Sequence, residues 1–305
     1  MTPEAITVLF VITVQMAAPL LWVTLGEIIS ERSGVLNIGA EGTMLLGAWA
    51  TATAMSFGAS PLVACLAGLG TGALVGLVLA VLYLWRRVDQ IIGGIMVNLF
   101  ALGFTTAMWA VLQGGQPGAN ADRIEIPLLS DIPVIGPALF SQNATVYLAI
   151  LAAPVVFALL RQTRWGLRLR AAGEEPGALD SAGVSVLRVR LGGLVAGTCL
   201  AALGGACLVV TSASGGFVYN MTAGTGFIAL GVVILARWNP LYALIATLAF
   251  GVLKALQFQA QAFGPLAAVP NDVWLAVPYV VAIIAVAAAR TTRFAPVVGV
   301  PWARH

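Results

Sequence analysis

The segment RQTRWGLRLRAAGEEPGALDSAGVSVLRVR, residues 161–190, is polar and rich in arginine, and on both sides of it the chain is almost free of charge. Of the 305 residues, 60% are hydrophobic and 9% are charged, whereas a soluble globular domain carries about 25% charged residues. This composition predicts an all-α polytopic membrane protein in which residues 161–190 form the main exposed loop.

Two long runs without acidic or basic residues, 42–85 and 191–236, support this prediction. At a rise of 1.5 Å per residue, each run would be a helix roughly 65–70 Å long, which is enough for two crossings of a core about 30 Å thick. The apolar pattern predicts about nine transmembrane helices (eight to ten). They lie near residues 5–27, 35–57, 62–85, 91–113, 144–160, 190–211, 222–237, 240–261 and 273–290.

Basic residues concentrate on one side of these spans. Of the 15 lysines and arginines, Arg123 lies in one set of loops, Lys254 lies within a span, and the rest lie in the opposite set. These are Arg32, Arg86, Arg87, Arg161, Arg164, Arg168, Arg170, Arg188, Arg190, Arg237, Arg290, Arg293 and Arg304. The positive-inside rule makes that set cytoplasmic, which predicts an N-terminus outside, a C-terminus in the cytoplasm, and an outward-facing loop at 114–143.

The arginine-rich loop is predicted to contain a short helix. Glu175 and Pro176 suit the start of a helix, and Gly183 suits its end. Residues 161–173 are expected to continue the preceding helix beyond the bilayer, and Ser185 to cap the next span.

Small residues on this short helix suggest a docking element. Ala178, Ser181 and Ala182 would be exposed to the cytoplasm. The alternative is a solvated loop whose arginines only set the topology.

Four blocks of the sequence resemble a known family. GEEPGALDSAGVS (173–185) resembles the coupling-helix signature G-x-N-P-x-A-A-x-x-A-G-I of ABC importer permeases, with Glu175 in place of the usual asparagine and Asp180 where alanine is common. SERSGVLNIGAEGTMLLGAW (30–49), residues 224–257 and VPYVVAIIAV (277–286) are similar to blocks of the branched-chain amino acid, ribose and nucleoside permease family. Within that family, the segment ERSGVLNIGAEG (31–42) is most similar to the nucleoside and simple-sugar permeases that work with basic-membrane-protein-type lipoproteins.

The resemblance implies the transmembrane subunit of an ATP-binding cassette importer in the bacterial inner membrane. The chain, 1–305, would be a single permease domain with 161–190 as its coupling loop, and would form half of the pore for a nucleoside or simple-sugar-like solute. Its partners would be ABC ATPase subunits, a second and homologous permease subunit, and an extracytoplasmic substrate-binding lipoprotein. The residues expected to couple to the ATPase are Glu174, Glu175, Pro176, Ala178, Asp180, Ala182 and Gly183.

Catalysis by this chain is not expected. A Walker A loop needs a glycine-rich turn with a lysine, and the only lysine, Lys254, lies in an apolar span. The only histidine is the last residue, His305, so a histidine-based metal site or catalytic triad is excluded. We therefore predict no cofactor and no nucleic acid polymer as partner.

The alternative function is an ion-gradient-driven secondary transporter. It would need a relay of carboxylates inside the membrane, and only Glu41 lies clearly within a span.

Polar residues inside the spans define a candidate translocation path. The candidates are Asn37, Glu41, Asn98, Asn220, Gly224 and Gly226. Glu41 could line the path or pair with Arg32, and Asn98 could bind a substrate or a neighbouring carbonyl. Lys254 could extend to the membrane surface or face the pore.

An internal match connects two of these regions. With one inserted residue, NIGAEGTMLLGAW (37–49) aligns with NMTAGTGFIALGVV (220–233). The two spans would run in opposite directions, which predicts an inverted repeat with substrate passing where broken helices meet.

Overall fold

The computed structural model describes residues 3–112, 122–127, 129–130, 132–133, 135–212, 216–260, 269–288 and 298–302. Three of the arginines that set the predicted orientation, Arg290, Arg293 and Arg304, lie outside the described residues.

Helices make up nearly all of the described chain. They are α1 (Pro3–Arg32), α2 (Ala40–Ser56), α3 (Pro61–Ala80) with a π-helical turn (Val81–Trp85), α4 (Gln90–Leu112), α5 (Ile135–Phe140), α6 (Ala144–Gln162), α7 (Arg164–Glu174), α8 (Pro176–Ser181), α9 (Val186–Thr211), α10 (Thr225–Leu235), α11 (Pro240–Ala260) and α12 (Asn271–Ala288). Two-residue strands, β1 (Ile124–Glu125) and β2 (Ser141–Gln142), pair antiparallel in the loop before α6.

Six helices in the described part are long and apolar enough to cross a membrane. They are α1, α3 with its π-helical turn, α4, α6, α9 and α11. The predicted span at 222–237 is wrong in length, because α10 has only 11 residues and is roughly 16–17 Å long. Its apolar residues are mostly buried in the protein, so α10 is a half-length helix held by its neighbours.

The centre of the fold is α9, which packs against α1, α2 and α3. Glycines make these contacts close. A β-carbon on Gly205 would lie 2.7 Å from the backbone nitrogen of Ala48, and one on Gly204 would lie 2.7 Å from Val23 Cγ2. Small residues stabilise helix pairs inside a membrane because they let the backbones approach closely.

The arginine-rich loop contains two separate helices, α7 and α8, rather than the predicted extension of α6 followed by one short helix. We expected α6 to continue through residue 173, but it ends at Gln162 and α7 begins at Arg164. Thr163 separates them because its Oγ1 accepts a hydrogen bond from Gly166 N (3.0 Å), which caps the new helix.

Candidate translocation site

The start of α10 lies against the start of α2. The first backbone N–H groups of a helix have no partner within the helix, so a helix that begins inside the protein must find acceptors elsewhere. Here the acceptor is the carboxylate of Glu41, in the first turn of α2. Its Oε1 accepts from Thr222 Oγ1 (2.6 Å) and Gly224 N (2.8 Å), and its Oε2 accepts from Gly226 N (2.6 Å).

The environment of Glu41 explains why a carboxylate is tolerated here. The residue is 8% exposed, and a buried charge is costly unless it is well hydrogen-bonded. Both α2 and α10 begin beside it, so the positive ends of two helix dipoles and three donors stabilise the negative charge. We considered a pair between Glu41 and Arg32, which is wrong: the ion pair of Arg32 is with Glu174 (3.4 Å).

Glycine permits this close approach. A β-carbon on Gly226 would lie 2.6 Å from Glu41 Cα, and one on Gly224 would lie 2.7 Å from the Tyr279 hydroxyl. Gly224 also has a φ of +74°, which glycine adopts at little cost. Two other residues of the preceding turn, Asn220 and Ala223, have φ of +50° and +42°, and the Ala223 carbonyl accepts a hydrogen bond from Tyr279.

A cavity of about 490 Å³ adjoins the first turn of α10. It lies between α10, α11, α12 and the end of α9. Its polar lining residues are Thr211, Ser212, Thr222, Thr225, Lys254, Gln257 and Tyr279, and its apolar ones include Met16, Leu208 and Phe258. A cavity with apolar walls and a few placed polar groups is typical of sites for small organic molecules.

Lys254 faces this cavity rather than the membrane surface. Its Nζ donates a hydrogen bond to Thr225 Oγ1 (2.8 Å), at the first residue of α10. Of the two alternatives considered for this lysine, extension to the surface is therefore wrong.

Asn98 has a structural role at the start of α2. Its Oδ1 accepts from Gly42 N (2.7 Å) and its Nδ2 donates to the Ile38 carbonyl (2.9 Å). Both bonds satisfy backbone groups where the chain enters α2, so the amide of Asn98 is already used.

Asn37 and Asn220 do not meet. Asn37 is fully buried and donates to Glu27 Oε1 (2.8 Å), whereas Asn220 is exposed in the turn before α10. The predicted set therefore divides. Glu41, Gly224 and Gly226 form one junction, Asn98 supports it from α4, and Asn37 and Asn220 lie outside the junction and do not contact each other.

Sequence reasoning missed the hydroxyl groups of this site. Thr222 donates a hydrogen bond to Glu41, and Thr225 accepts one from Lys254. The Tyr279 hydroxyl donates to the Ala223 carbonyl, in the turn between the two threonines. The available signal was Lys254 itself, since the only lysine of the chain inside an apolar helix needs a polar partner.

The predicted coupling helix forms α8. Pro176 is its first residue, Gly183 follows it with a φ of +77°, and Glu175 at the N-cap makes no side-chain cap bond. Pro176 and Leu179 are buried, and Leu179 packs with Val186. Ser185 lies at the N-cap of α9 as expected, but its side chain makes no cap hydrogen bond.

The outer face of α8 is formed by small residues. Ala178, Ser181 and Ala182 are exposed, as predicted, and Gly183 is exposed as well, while Asp180 is partly buried beside a cleft of about 380 Å³.

Comparison with known proteins agrees with this architecture. Residues 9–286 match the family model described as branched-chain amino acid transport system / permease component. The guanosine ABC transporter permease protein NupQ of Bacillus subtilis is 34% identical over 92% of each chain. The nucleoside ABC transporter permease protein NupC of Lactococcus lactis is 36% identical over 89% of this chain and 88% of its own. A putative glucose ABC transporter permease protein, TsgC13 of Haloferax volcanii, is 36% identical over 85% of this chain and 79% of its own.

A membrane-embedded helical permease is therefore the class that the fold and these matches define. The chain belongs to the branched-chain amino acid transport system permease family, and it is a multi-pass protein of the inner membrane.

Proposed function

We propose that this chain is the transmembrane subunit of an ATP-binding cassette importer that carries nucleosides. The observation that supports this most strongly is the similarity to two permeases named for guanosine and nucleoside transport, each extending over about nine-tenths of both chains. The glucose permease among the relatives keeps a simple sugar as the second candidate substrate. A nucleoside contains a sugar, so polar groups that bind sugar hydroxyls could serve both.

Energy enters from the ATPase subunit through α8. The residues that contact it are Glu174, Glu175, Pro176, Ala178, Asp180, Ala182 and Gly183. Support comes from the exposure of small residues on a helix whose other face is fixed to α9 by Leu179. Small side chains leave room for another protein to approach the helix backbone closely.

The substrate passes beside the junction of α2 and α10. In this proposal Glu41, Gly224 and Gly226 hold the junction, Asn98 supports it, and Asn37 and Asn220 flank it. The adjoining cavity of about 490 Å³ supports the proposal, because it combines apolar walls with hydroxyl, amide and ammonium groups able to bind a nucleoside.

The topology that fits this function has nine membrane-inserted helices, with the N-terminus outside and the C-terminus in the cytoplasm. In it, α2 and α10 are the related halves of an inverted repeat, and both begin inside the membrane. Helices that begin inside the membrane at the substrate site recur in transporters with inverted repeats.

The assembled importer contains two permease chains, a substrate-binding lipoprotein and two ATPase subunits. This chain is a single permease domain without catalytic residues, and it pairs with a homologous permease. Exposed apolar residues on α3 and α4, such as Leu74, Ile92 and Phe100, offer surface for lipid or for that second permease.

Substrate and energy source are tested together by uptake. Cells that express the chain with its genomic neighbours are given radiolabelled guanosine, with excess unlabelled nucleosides or glucose as competitors. We expect competition by nucleosides and not by glucose, and loss of uptake when ATP is depleted. Uptake that persists without ATP but stops when the proton gradient is dissipated would instead establish the secondary transporter.

Coupling through α8 is tested by Ala178→Arg and Ala182→Arg. A large cation on the exposed face of α8 should reduce uptake at least tenfold, while insertion and the amount of protein stay unchanged. Gln162→Arg adds the same charge at the end of α6 and should retain at least half of the uptake. Normal uptake in both α8 variants would show that this face does not contact the ATPase.

A further inference from the structure

A second cavity, of about 530 Å³, lies at the arginine-rich end of the protein. Four arginines line it from four elements: Arg32 at the end of α1, Arg161 in α6, Arg170 in α7 and Arg237 just after α10. Four like charges around one cavity repel one another, so an anion inside it would stabilise the arrangement.

At least one of these arginines has a donor that no described residue of the chain accepts. The Nε of Arg170 is buried and has no hydrogen-bond partner in the described part of the chain. Arg32 donates from one nitrogen to Glu174 (3.4 Å), and the guanidinium of Arg161 lies 5.2 Å from the ring centroid of Phe157. A guanidinium carries five N–H donors in a planar fork, a geometry suited to phosphate oxygens.

The cavity also adjoins an apolar surface. Leu160 of α6 and Tyr242 of α11 line it, and these two helices pack against each other. Along their length both helices expose large apolar side chains: Leu148, Leu151, Val155, Tyr242 and Ile245 are each at least 55% exposed. Arginines at one end of an exposed apolar face match a molecule with a phosphate head and hydrocarbon tails.

We propose that this cavity binds the phosphate headgroup of an anionic phospholipid, with its acyl chains along α6 and α11. A soluble phosphate would use the arginines but leave the apolar face uncovered, and so would an acidic protein surface. Basic pockets between transmembrane helices on the cytoplasmic side are known to hold acidic lipid headgroups. The site is separate from the substrate cavity, since it lies at the opposite end of α10.

The test uses the full chain assembled with its partner subunits in detergent. Fluorescently labelled phosphatidylglycerol is titrated in, binding is followed by anisotropy, and unlabelled phosphatidylcholine or inorganic phosphate is the competitor. Arg161→Gln combined with Arg237→Gln removes two cavity arginines. Arg164→Gln combined with Arg168→Gln is the matched control, because both residues are exposed in α7 and neither lines the cavity.

We expect the cavity variant to bind phosphatidylglycerol at least tenfold more weakly and the control to stay within twofold of the unmodified protein, with little competition by either competitor. Equal losses in both variants would mean attraction to net positive charge and would overturn the site. Competition by millimolar inorganic phosphate would overturn the assignment to lipid in favour of a free anion. Binding that appears only after the ATPase subunits are removed would assign the cavity to a protein contact and would also overturn the proposal.

Discussion

Replacing Glu41 by glutamine should uncouple the starts of α2 and α10. Glutamine keeps the shape of the side chain but has one acceptor oxygen instead of two. In the best orientation of the glutamine, its amide oxygen replaces Oε1 and still accepts hydrogen bonds from Thr222 and Gly224. Its amide nitrogen then faces the N–H of Gly226, and because both groups are donors, this hydrogen bond is lost.

The loss can be estimated from these contacts. A hydrogen bond to a charged group contributes about 1.5–3 kcal/mol, and one such bond is removed. The interaction of the charge with the helix dipoles adds about 1 kcal/mol for a partly buried site. We therefore expect Glu41→Gln to lower the free energy of unfolding by about 2.5–4 kcal/mol.

The assay is reversible unfolding of the purified chain in mixed micelles, followed by far-ultraviolet circular dichroism, together with hydrogen exchange at the Gly224 and Gly226 amides. A loss of about 2.5–4 kcal/mol that opens the junction locally would speed exchange by roughly 70- to 900-fold. A change below about 0.5 kcal/mol, with exchange at these two amides unaltered, would refute the reasoning.

A double-mutant cycle identifies the contact itself. Thr222→Val removes the hydroxyl donor to Glu41, so its cost should be about 1 kcal/mol smaller when Glu41 is already glutamine. Thr24→Val is the matched control, because within the described residues this buried hydroxyl bonds to the Leu20 carbonyl of its own helix (2.7 Å) and not to Glu41. Its cost should add to that of Glu41→Gln within about 0.5 kcal/mol.

Three further substitutions test the site. Gly226→Ala should destabilise the protein by about 1–3 kcal/mol in the same unfolding assay, because the new β-carbon would lie 2.6 Å from Glu41 Cα. Gly103→Ala is the control: its β-carbon would meet nothing within 4 Å, so this substitution should be neutral or slightly stabilising. Asn98→Leu leaves two backbone groups without partners and should cost about 2–4 kcal/mol by thermal unfolding; an unchanged midpoint would contradict this role. Lys254→Met should leave the free energy of unfolding within about 1 kcal/mol of the unmodified protein, since the partner hydroxyl of Thr225 faces a cavity that can hold water. The same substitution should reduce guanosine uptake at least fivefold, and unaltered uptake would show that Lys254 is not part of the path.

The parts of the fold that local chemistry decides could be predicted from the sequence. The helix α8 begins at Pro176 and is followed by Gly183 in a left-handed conformation, because proline fixes a helical φ and glycine allows a positive one. The break between α6 and α7 has an equally local cause, the cap formed by Thr163. The arginines on both sides of Thr163 nevertheless predict one continuous helix, so this break is missed from the sequence alone.

The shortness of α10 could not be predicted, because hydropathy does not show where an apolar helix begins. Residues 222–237 are apolar enough to suggest a complete span, yet the helix starts only at Thr225. Its start is fixed by Glu41, more than 180 residues earlier in the chain. This separation in the chain also explains why the sequence suggests Arg32 as the partner of Glu41. Arg32 is near Glu41 in sequence, whereas the backbone of α10 is near it only in the folded protein.

The structure provides a continuous packed route from α8 to the cavity beside α10. The four residues 182–185 separate α8 from α9, and Leu179 packs against Val186, so α8 cannot shift far without moving the first turn of α9. The contacts between α9 and α2 are close because of glycines such as Gly205, which leaves little room for the two helices to slide independently.

The last contact of this route is polar. Glu41 of α2 holds the backbone of α10 at Gly224 and Gly226, and the next residue of α10, Thr225, carries the hydrogen bond to Lys254 in the cavity. A rotation of α2 therefore either carries the start of α10 with it or breaks charge-assisted hydrogen bonds, each of which contributes about 1.5–3 kcal/mol. This is the physical reason to expect a carboxylate, rather than an apolar contact, between the starts of α2 and α10.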